Sequence, residues 1–542
     1  MSLGQTPKQG EMWRSTSAYC EAKLSPTSIY SLLHRECHRL FPDEAFTDLF
    51  RDIGRRSIPP RIVAVVMVLQ RLEGLSDREA VERFSFDIRW KYAAGGLDFE
   101  YPGFVHTVLV DMRERLRQSQ DPDRIFRTVL DVAKAAGLVG RRRVLDSTPL
   151  YDAVATQDTV TMIRSAIRAL LRAAGDELVA QLRGALKRDD DYSTAGKPAC
   201  DWEDRAAREA LVDALARDAY ALLAHLDGHA LAVPVREAAV LLATVVGQDL
   251  EQTEDGTFRI ARRVAPDRVI STVDPYARHG HKTQARGFDG YKGHIALDPD
   301  SELITSSTVT PGNAADGSVA KELLKEALET EAQKQDEQQT KEGSPEANDS
   351  LAPEPVEVYG DSSYGTGEVL EHLENAGAVA HVKVQAPASP DGRFTKDAFH
   401  IDLASDTVTC PAGQLVQIRR RKDGSGIASF GARCGKCPLA ASCTKSKEGR
   451  NVTVNQREHL LQHARTQQRS PAWRAGYKAT RPKVERKLAH LMRRRHGGRR
   501  ARLRGTERVT RDFTMLCAAE NLRRLAALGL RHDERSRTRW AV

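Results

Sequence analysis

The chain has 542 residues, 40% of them hydrophobic and 29% charged, so it is too long for one compact core and too apolar for a disordered chain; two to four folded units are expected. No apolar run reaches the roughly 18 residues of a membrane-crossing helix, and the first thirty residues lack the apolar centre of a secretory leader. The net charge of +8 is concentrated, since Arg474 to Arg508 holds fourteen Lys and Arg against two Glu and leaves the remainder slightly acidic. A basic patch usually meets a polyanion, although a charge run by itself reads as well as a solvated face.

In chain order, a disordered N-terminus (1–25) is followed by a helical region (26–140). There Pro59 to Glu73 reads as a buried helix, and Ser76 and Glu79 have capping-box spacing at the start of the next one. A short strand follows (141–156), in which Val144 and Leu145 deliver Asp146 at the strand's end. Helical periodicity returns over 157–265 as an insert. The region 266–390 turns to strands: Gly290–Pro299 and Ser301–Gly312, joined by the turn tetrad Asp298-Pro299-Asp300-Ser301, then a helix from Asp316. A polar stretch (333–355) reads as a disordered linker. Beyond it, a strand ending at Asp361, a helix (Gly367–Ala376) and a strand (Ala378–Val384) make a β-α-β unit. A Cys-rich insert (391–465), basic C-terminal helices (466–530) and a tail (531–542) complete the chain.

Asp146 and Asp361 each close a short apolar strand, as required of carboxylates that hold hard divalent cations on rigid backbone. Either alone is also ordinary turn chemistry. A third acid, Glu485, lies beside the apolar stripe Val484, Leu488 and Leu491 of a helix that Pro482 is suited to begin, with Glu507 as a less well placed alternative. The cysteines split into four scattered residues (Cys20, Cys37, Cys200, Cys517) and a cluster of Cys410, Cys434, Cys437 and Cys443. Two thiol knuckles of this spacing match a closed tetrahedral site for a structural Zn²⁺ in a reducing, cytoplasmic setting. His279 and His281, read as lying in a polar loop near Asp274, are weaker metal candidates because no HExxH helix supports them. There is no GxxxxGK[ST] phosphate loop, so no nucleotide cofactor is expected.

Several phrases in a fixed order resemble the bacterial insertion-sequence transposases of the DDE class. They are Gly74-LSDREAVERFSFDIRWKYAA-Gly95, Leu145-DST with Asp152-AVATQDT, Gly287-FDGYKGHIALD, Val309-TPGNAAD, Val358-YGDSSYG, the Glu485 region and Arg504-GTERVTRDFTMLCAAENLRR-Leu525. The resemblance spans about residues 30 to 528, in the branch with a helical N-terminal domain and a Cys-rich insert before the catalytic Glu. It implies an α/β fold with an RNase H-like mixed-sheet core, interrupted by a helical and a zinc-ribbon-like insert. It further implies Asp146, Asp361 and Glu485 as the acids for two Mg²⁺ or Mn²⁺ ions. The activity implied is cut-and-paste transposition, with inverted-repeat transposon ends and target DNA as partners, working as a homodimer or higher assembly on the nucleoid. Tyr477, Arg481, Lys483, Arg486, Arg493, Arg494 and Arg495 are the DNA-contact candidates. A related branch places Arg three residues after Tyr and a basic residue seven after Glu; here Arg481 comes four after Tyr477, and Met492 stands at the second position. A catalytically inactive DNA-binding derivative, or a metal nuclease that never joins strands, is the alternative.

Overall fold

Val144 and Leu150 of the first core strand face one apolar layer while Leu145 faces another, so this strand is buried on both sides and sits at the centre of a sheet. The computed structural model describes residues 15–51, 54, 56–152, 154–190, 192–283, 285–329, 354–388, 390–533 and 539–542. The expected disorder over 1–25 falls outside this set only for residues 1–14, and the expected 333–355 linker falls outside it up to residue 353. Residues 16–21, expected to be disordered, form a short helix capped by Ser15. The Thr16 hydroxyl donates to the Leu97 carbonyl (2.6 Å) and Cys20 is buried, which is what orders the segment.

The central sheet comprises β1 (Arg142–Tyr151), β2 (Arg278–Thr283), β3 (Arg286–Leu297), β4 (Ile304–Pro311), β5 (Glu357–Gly360) and β6 (Val379–Val382). β3 runs antiparallel to β1 from Val144↔Leu297 to Tyr151↔Gly290. β4 and β2 pair antiparallel along the far flank of β3. On its other side β1 pairs parallel with β5, and β5 with β6. Three antiparallel strands with two more parallel to the first is the RNase H-like order, and the fold is α/β.

β1 does not end at Asp146 but continues through Pro149 to Tyr151, because β3 supplies ladder partners throughout. What ends near Asp146 is the parallel pairing with β5, whose last matched residue on β1 is Val144. One side of β1 is therefore open beyond that point, and Asp146 lies beside the opening. Pro149 is tolerated because its missing N–H faces that open side, as the N–H of Tyr151, two residues on, does.

The N-terminal helices do not form a separate core. Pro60–Glu73, with eleven buried residues, packs with the C-terminal helix Thr506–Leu528 and one face of the sheet in a single apolar cluster. Gly293 of β3 permits this closeness, since a Cβ there would stand 2.7 Å from the Phe513 ring. Arg71, buried in the middle, reaches Asp512 at 3.0 Å. The Ser76–Glu79 capping box forms as its spacing suggests. Four helices between Thr159 and Asp249 close around their own core. The cysteine region is a five-stranded antiparallel sheet with another separate core. Among the described residues no helix is long and apolar enough to cross a membrane.

Candidate active site and nucleic-acid interface

Asp361 follows β5 directly, in a turn where its carboxylate accepts the Ser363 N–H (2.9 Å). Asp146, on the neighbouring strand, accepts the N–H of Ser147 (2.8 Å). Two consecutive helices, Pro471–Thr480 and Pro482–Leu491, meet at Arg481, which ends one and begins the other. The first helix is fixed against the sheet by Tyr477, whose hydroxyl donates to the carbonyl of Gly360 (3.2 Å), the residue before Asp361. The second is fixed by Val484, Leu488 and Leu491, buried in the main core.

This junction sends the Arg481 side chain, 8% exposed, among the three predicted acids. Its Nη2 lies 2.9 Å from Asp146 and 3.8 Å from Asp361, and its Nη1 lies 3.6 Å from Glu485. Three carboxylates, each more than a hundred residues from the next, thus reach one guanidinium. Glu507 does not join them; it faces Arg117 at 3.5 Å.

The charge balance at this point is incomplete. Burial pushes the Asp146 carboxyl up to about 6, although Arg481 acts in the opposite direction. Nε and Nη1 of Arg481 are buried without a hydrogen-bond partner. Among the described residues no group of three or more His, Cys, Asp or Glu is close enough to hold an ion as it stands. The donor set of three carboxylates, one desolvated, one half-buried and one exposed, nevertheless fits a hard divalent cation.

Behind Asp146, on the opposite face of β1, lies a buried polar cluster that the sequence analysis did not single out. Asp316 accepts the Ser147 hydroxyl (2.6 Å) and the Lys292 ammonium (2.8 Å). His294, opposite Ser147 in the register, bridges Thr310 (2.9 Å) and Tyr364 (3.2 Å). Burial pushes its imidazole down to about 4, so it is neutral. The available signal was period two: Lys292 and His294 alternate with apolar residues on a strand whose Ala296 faces the core.

The predicted DNA contacts divide into two groups. Lys483 lies 3.8 Å from Asp300 and Arg486 pairs with Glu302, so both pin the helix to the β3–β4 turn. Arg494 and Arg495 are exposed and Arg493 is half-buried. Tyr477 stacks on Trp473 with ring centres 4.8 Å apart. His279 and His281 lie on β2 rather than in a loop; His279 bonds Asp289 (2.7 Å), whereas Asp274 is buried beneath the Tyr291 hydroxyl.

Cys410, Cys434, Cys437 and Cys443 all line one cavity of about 20 Å³ beside Phe399 and Phe430. None is in a disulfide. The Gln414 N–H points at Cys410 Sγ (3.3 Å) and the Arg450 N–H at Cys434 Sγ (3.4 Å). Burial pushes the Cys443 thiol up, and the other three thiols add to the rise. Four thiols with backbone N–H groups turned to two of the sulfurs fit a soft ion in donor chemistry.

Residues 409–526 match a transposase DDE domain, and residues 20–115 match a transposase domain. The first match contains Glu485 and all four clustered cysteines, but neither Asp146 nor Asp361. No curated protein and no solved structure matches the chain.

Proposed function

We propose, on the two transposase-domain matches, that the chain is a DDE-class insertion-sequence transposase that cuts DNA at its element's ends and joins the freed strand to target DNA. Asp146, Asp361 and Glu485 would hold two Mg²⁺ or Mn²⁺ ions. Such ions, when bound, activate an attacking oxygen and stabilise a leaving one. The observation that carries this reading is the contact of one guanidinium with all three acids.

In this reading each residue has a distinct task. Asp146 lies on β1 and Asp361 directly follows β5, the parallel strand beside it, so both carboxylates are carried by the backbone of one sheet. Glu485 enters from a helix, so it tracks any motion of the Arg481 junction. Arg481 neutralises the acids when no other cation is there and has free donors for a phosphate oxygen. Two transposon ends held together call for at least two copies of the chain.

A supercoiled donor plasmid carrying the element's own ends, incubated with the full chain and Mg²⁺, should yield excised and joined products, and Asp361→Ala should yield neither. Nicks without joined product would overturn the joining step. Wild-type binding of DNA without any cut would overturn the enzyme.

A structural zinc on Cys410, Cys434, Cys437 and Cys443 belongs to the same proposal, resting on their spacing in the sequence and on their lining one small cavity, with no three of them close enough to hold the ion as they stand. Elemental analysis of the purified chain is expected to find about one zinc per molecule. Cys437→Ser should lose it and lower the melting temperature. A zinc-free wild type, with a melting temperature indifferent to chelators, would exclude the site.

A further inference from the structure

The basic stretch after the Glu485 helix does not simply trail into solvent. Gly497, at φ +59°, and Gly498 reverse the chain after the turn Arg494–His496. A Cβ at Gly498 would stand 2.2 Å from the Leu491 carbonyl oxygen, so only glycine permits this path. The reversal brings residues 499–501 alongside the end of β1. There the Tyr151 N–H donates to the Arg499 carbonyl and the Ala501 N–H donates to the Tyr151 carbonyl, both at 2.8 Å. Arg500 is thereby matched with Tyr151 as a parallel extension of the sheet, on the side that β5 leaves open.

Arg499 and Arg500 are exposed, and among the described residues neither has an acidic partner. They overlook a cavity of about 590 Å³ that Tyr151, Thr156 and Asp289 also line. A second cavity of similar volume, carrying His279 and His281, continues it through the shared Thr156 and Asp289. The acids in this cleft are already engaged: Asp289 holds His279 and the Thr156 hydroxyl, each at 2.7 Å, and Asp152 accepts the Val154 N–H at 2.9 Å. Neither acid is within ion-pair distance of the two guanidinium groups, which keep their donors for an anion from outside.

From this arrangement we propose that Arg499 and Arg500 form a second contact to the DNA backbone, set at a fixed distance from the reacting acids. The inference rests on the transposase reading and adds to it a surface for the duplex running away from the cut. Five residues of β1 separate Asp146 from Tyr151, about 17 Å at a strand's rise. That length corresponds to roughly five base pairs of duplex at about 3.4 Å each. Because the clip is made by backbone hydrogen bonds to the strand that carries Asp146, the main chain bearing the two arginines is tied to the main chain bearing the acid. Such a contact positions a duplex without reading its sequence.

The test compares the full-length wild type with Arg499→Ala/Arg500→Ala on a fluorescent duplex of about 40 base pairs and arbitrary sequence, titrated between roughly 50 and 200 mM salt. Two lost phosphate contacts should make the slope of log affinity against log salt shallower by about 1.8, with Arg499→Lys/Arg500→Lys keeping the wild-type slope. Both side chains are exposed, so the melting temperature should stay put and serves as the folding control. An unchanged slope in the alanine variant would overturn the proposal while leaving the transposase reading intact. A wild type that binds no duplex at all would count against that reading itself.

Discussion

Asp146→Asn is expected to abolish strand cleavage, by at least about 10³-fold, while affinity for duplex DNA stays within about twofold. The expectation exceeds the roughly 10- to 100-fold cost of disturbing groups behind a metal ligand, because Asp146 is proposed to be a ligand itself. Asn preserves shape and removes the charge, so a fold defect is not the expected cause. The same carboxyl makes a second, independent prediction within the wild type. Burial pushes it up to about 6, so in the metal-free protein it is charged above that pH and neutral below. A cation must compete with that proton, and Mg²⁺ affinity and cleavage should therefore fall together as the pH drops through about 6. Cleavage by Asp146→Asn at a rate near wild type, in a preparation free of wild-type protein, would remove the site.

Arg481→Ala is expected to do two things at once. Without divalent ions it should lose stability, on the order of 3 kcal/mol, since it removes one partner of a buried ion pair and leaves the Asp146 charge uncompensated. With Mg²⁺ added it should recover part of that loss, so its melting temperature should rise more with Mg²⁺ than the wild type's does. Cleavage should still fall by about 10² or more if the guanidinium also serves a phosphate, an interaction of the strength of a lost oxyanion donor. Arg481→Lys keeps the charge but not the fork, and should restore stability better than cleavage. A melting temperature and a Mg²⁺ response both equal to wild type would show that Arg481 neither neutralises the acids nor competes for their site.

Much of this was legible from local pattern. Short apolar runs at Val144 and Leu145 and at Val358 and Tyr359 declare strands, and the stripe Val484, Leu488 and Leu491 declares a helix face. The same reading set the end of β1 five residues short, because the ladder that prolongs it is supplied by β3, more than a hundred residues away. It also treated the N-terminal helices as a domain of their own. Nothing in the Pro60–Glu73 stretch announces that its apolar surface will be covered by Thr506–Leu528, at the other end of the chain.

Local pattern alone marks out which residues are chemically able to act: three acids on or directly after regular elements, four clustered thiols and a dense basic run near the C-terminus. Only the tertiary structure decided how those charges are used. Lys483 and Arg486 look like phosphate contacts in the sequence but are pinned to the acids of the β3–β4 turn, whereas Arg499 and Arg500, indistinguishable from them in composition, have no ion-pair partner among the described residues at the end of β1. Asp316 and Lys292 form a buried pair that period two signals only as polar groups facing a core. The physical reason is the same in each case. Periodicity and spacing are local properties of the backbone, but the work a charge does depends on its burial and on the charges around it, and those are supplied by segments far away in the chain.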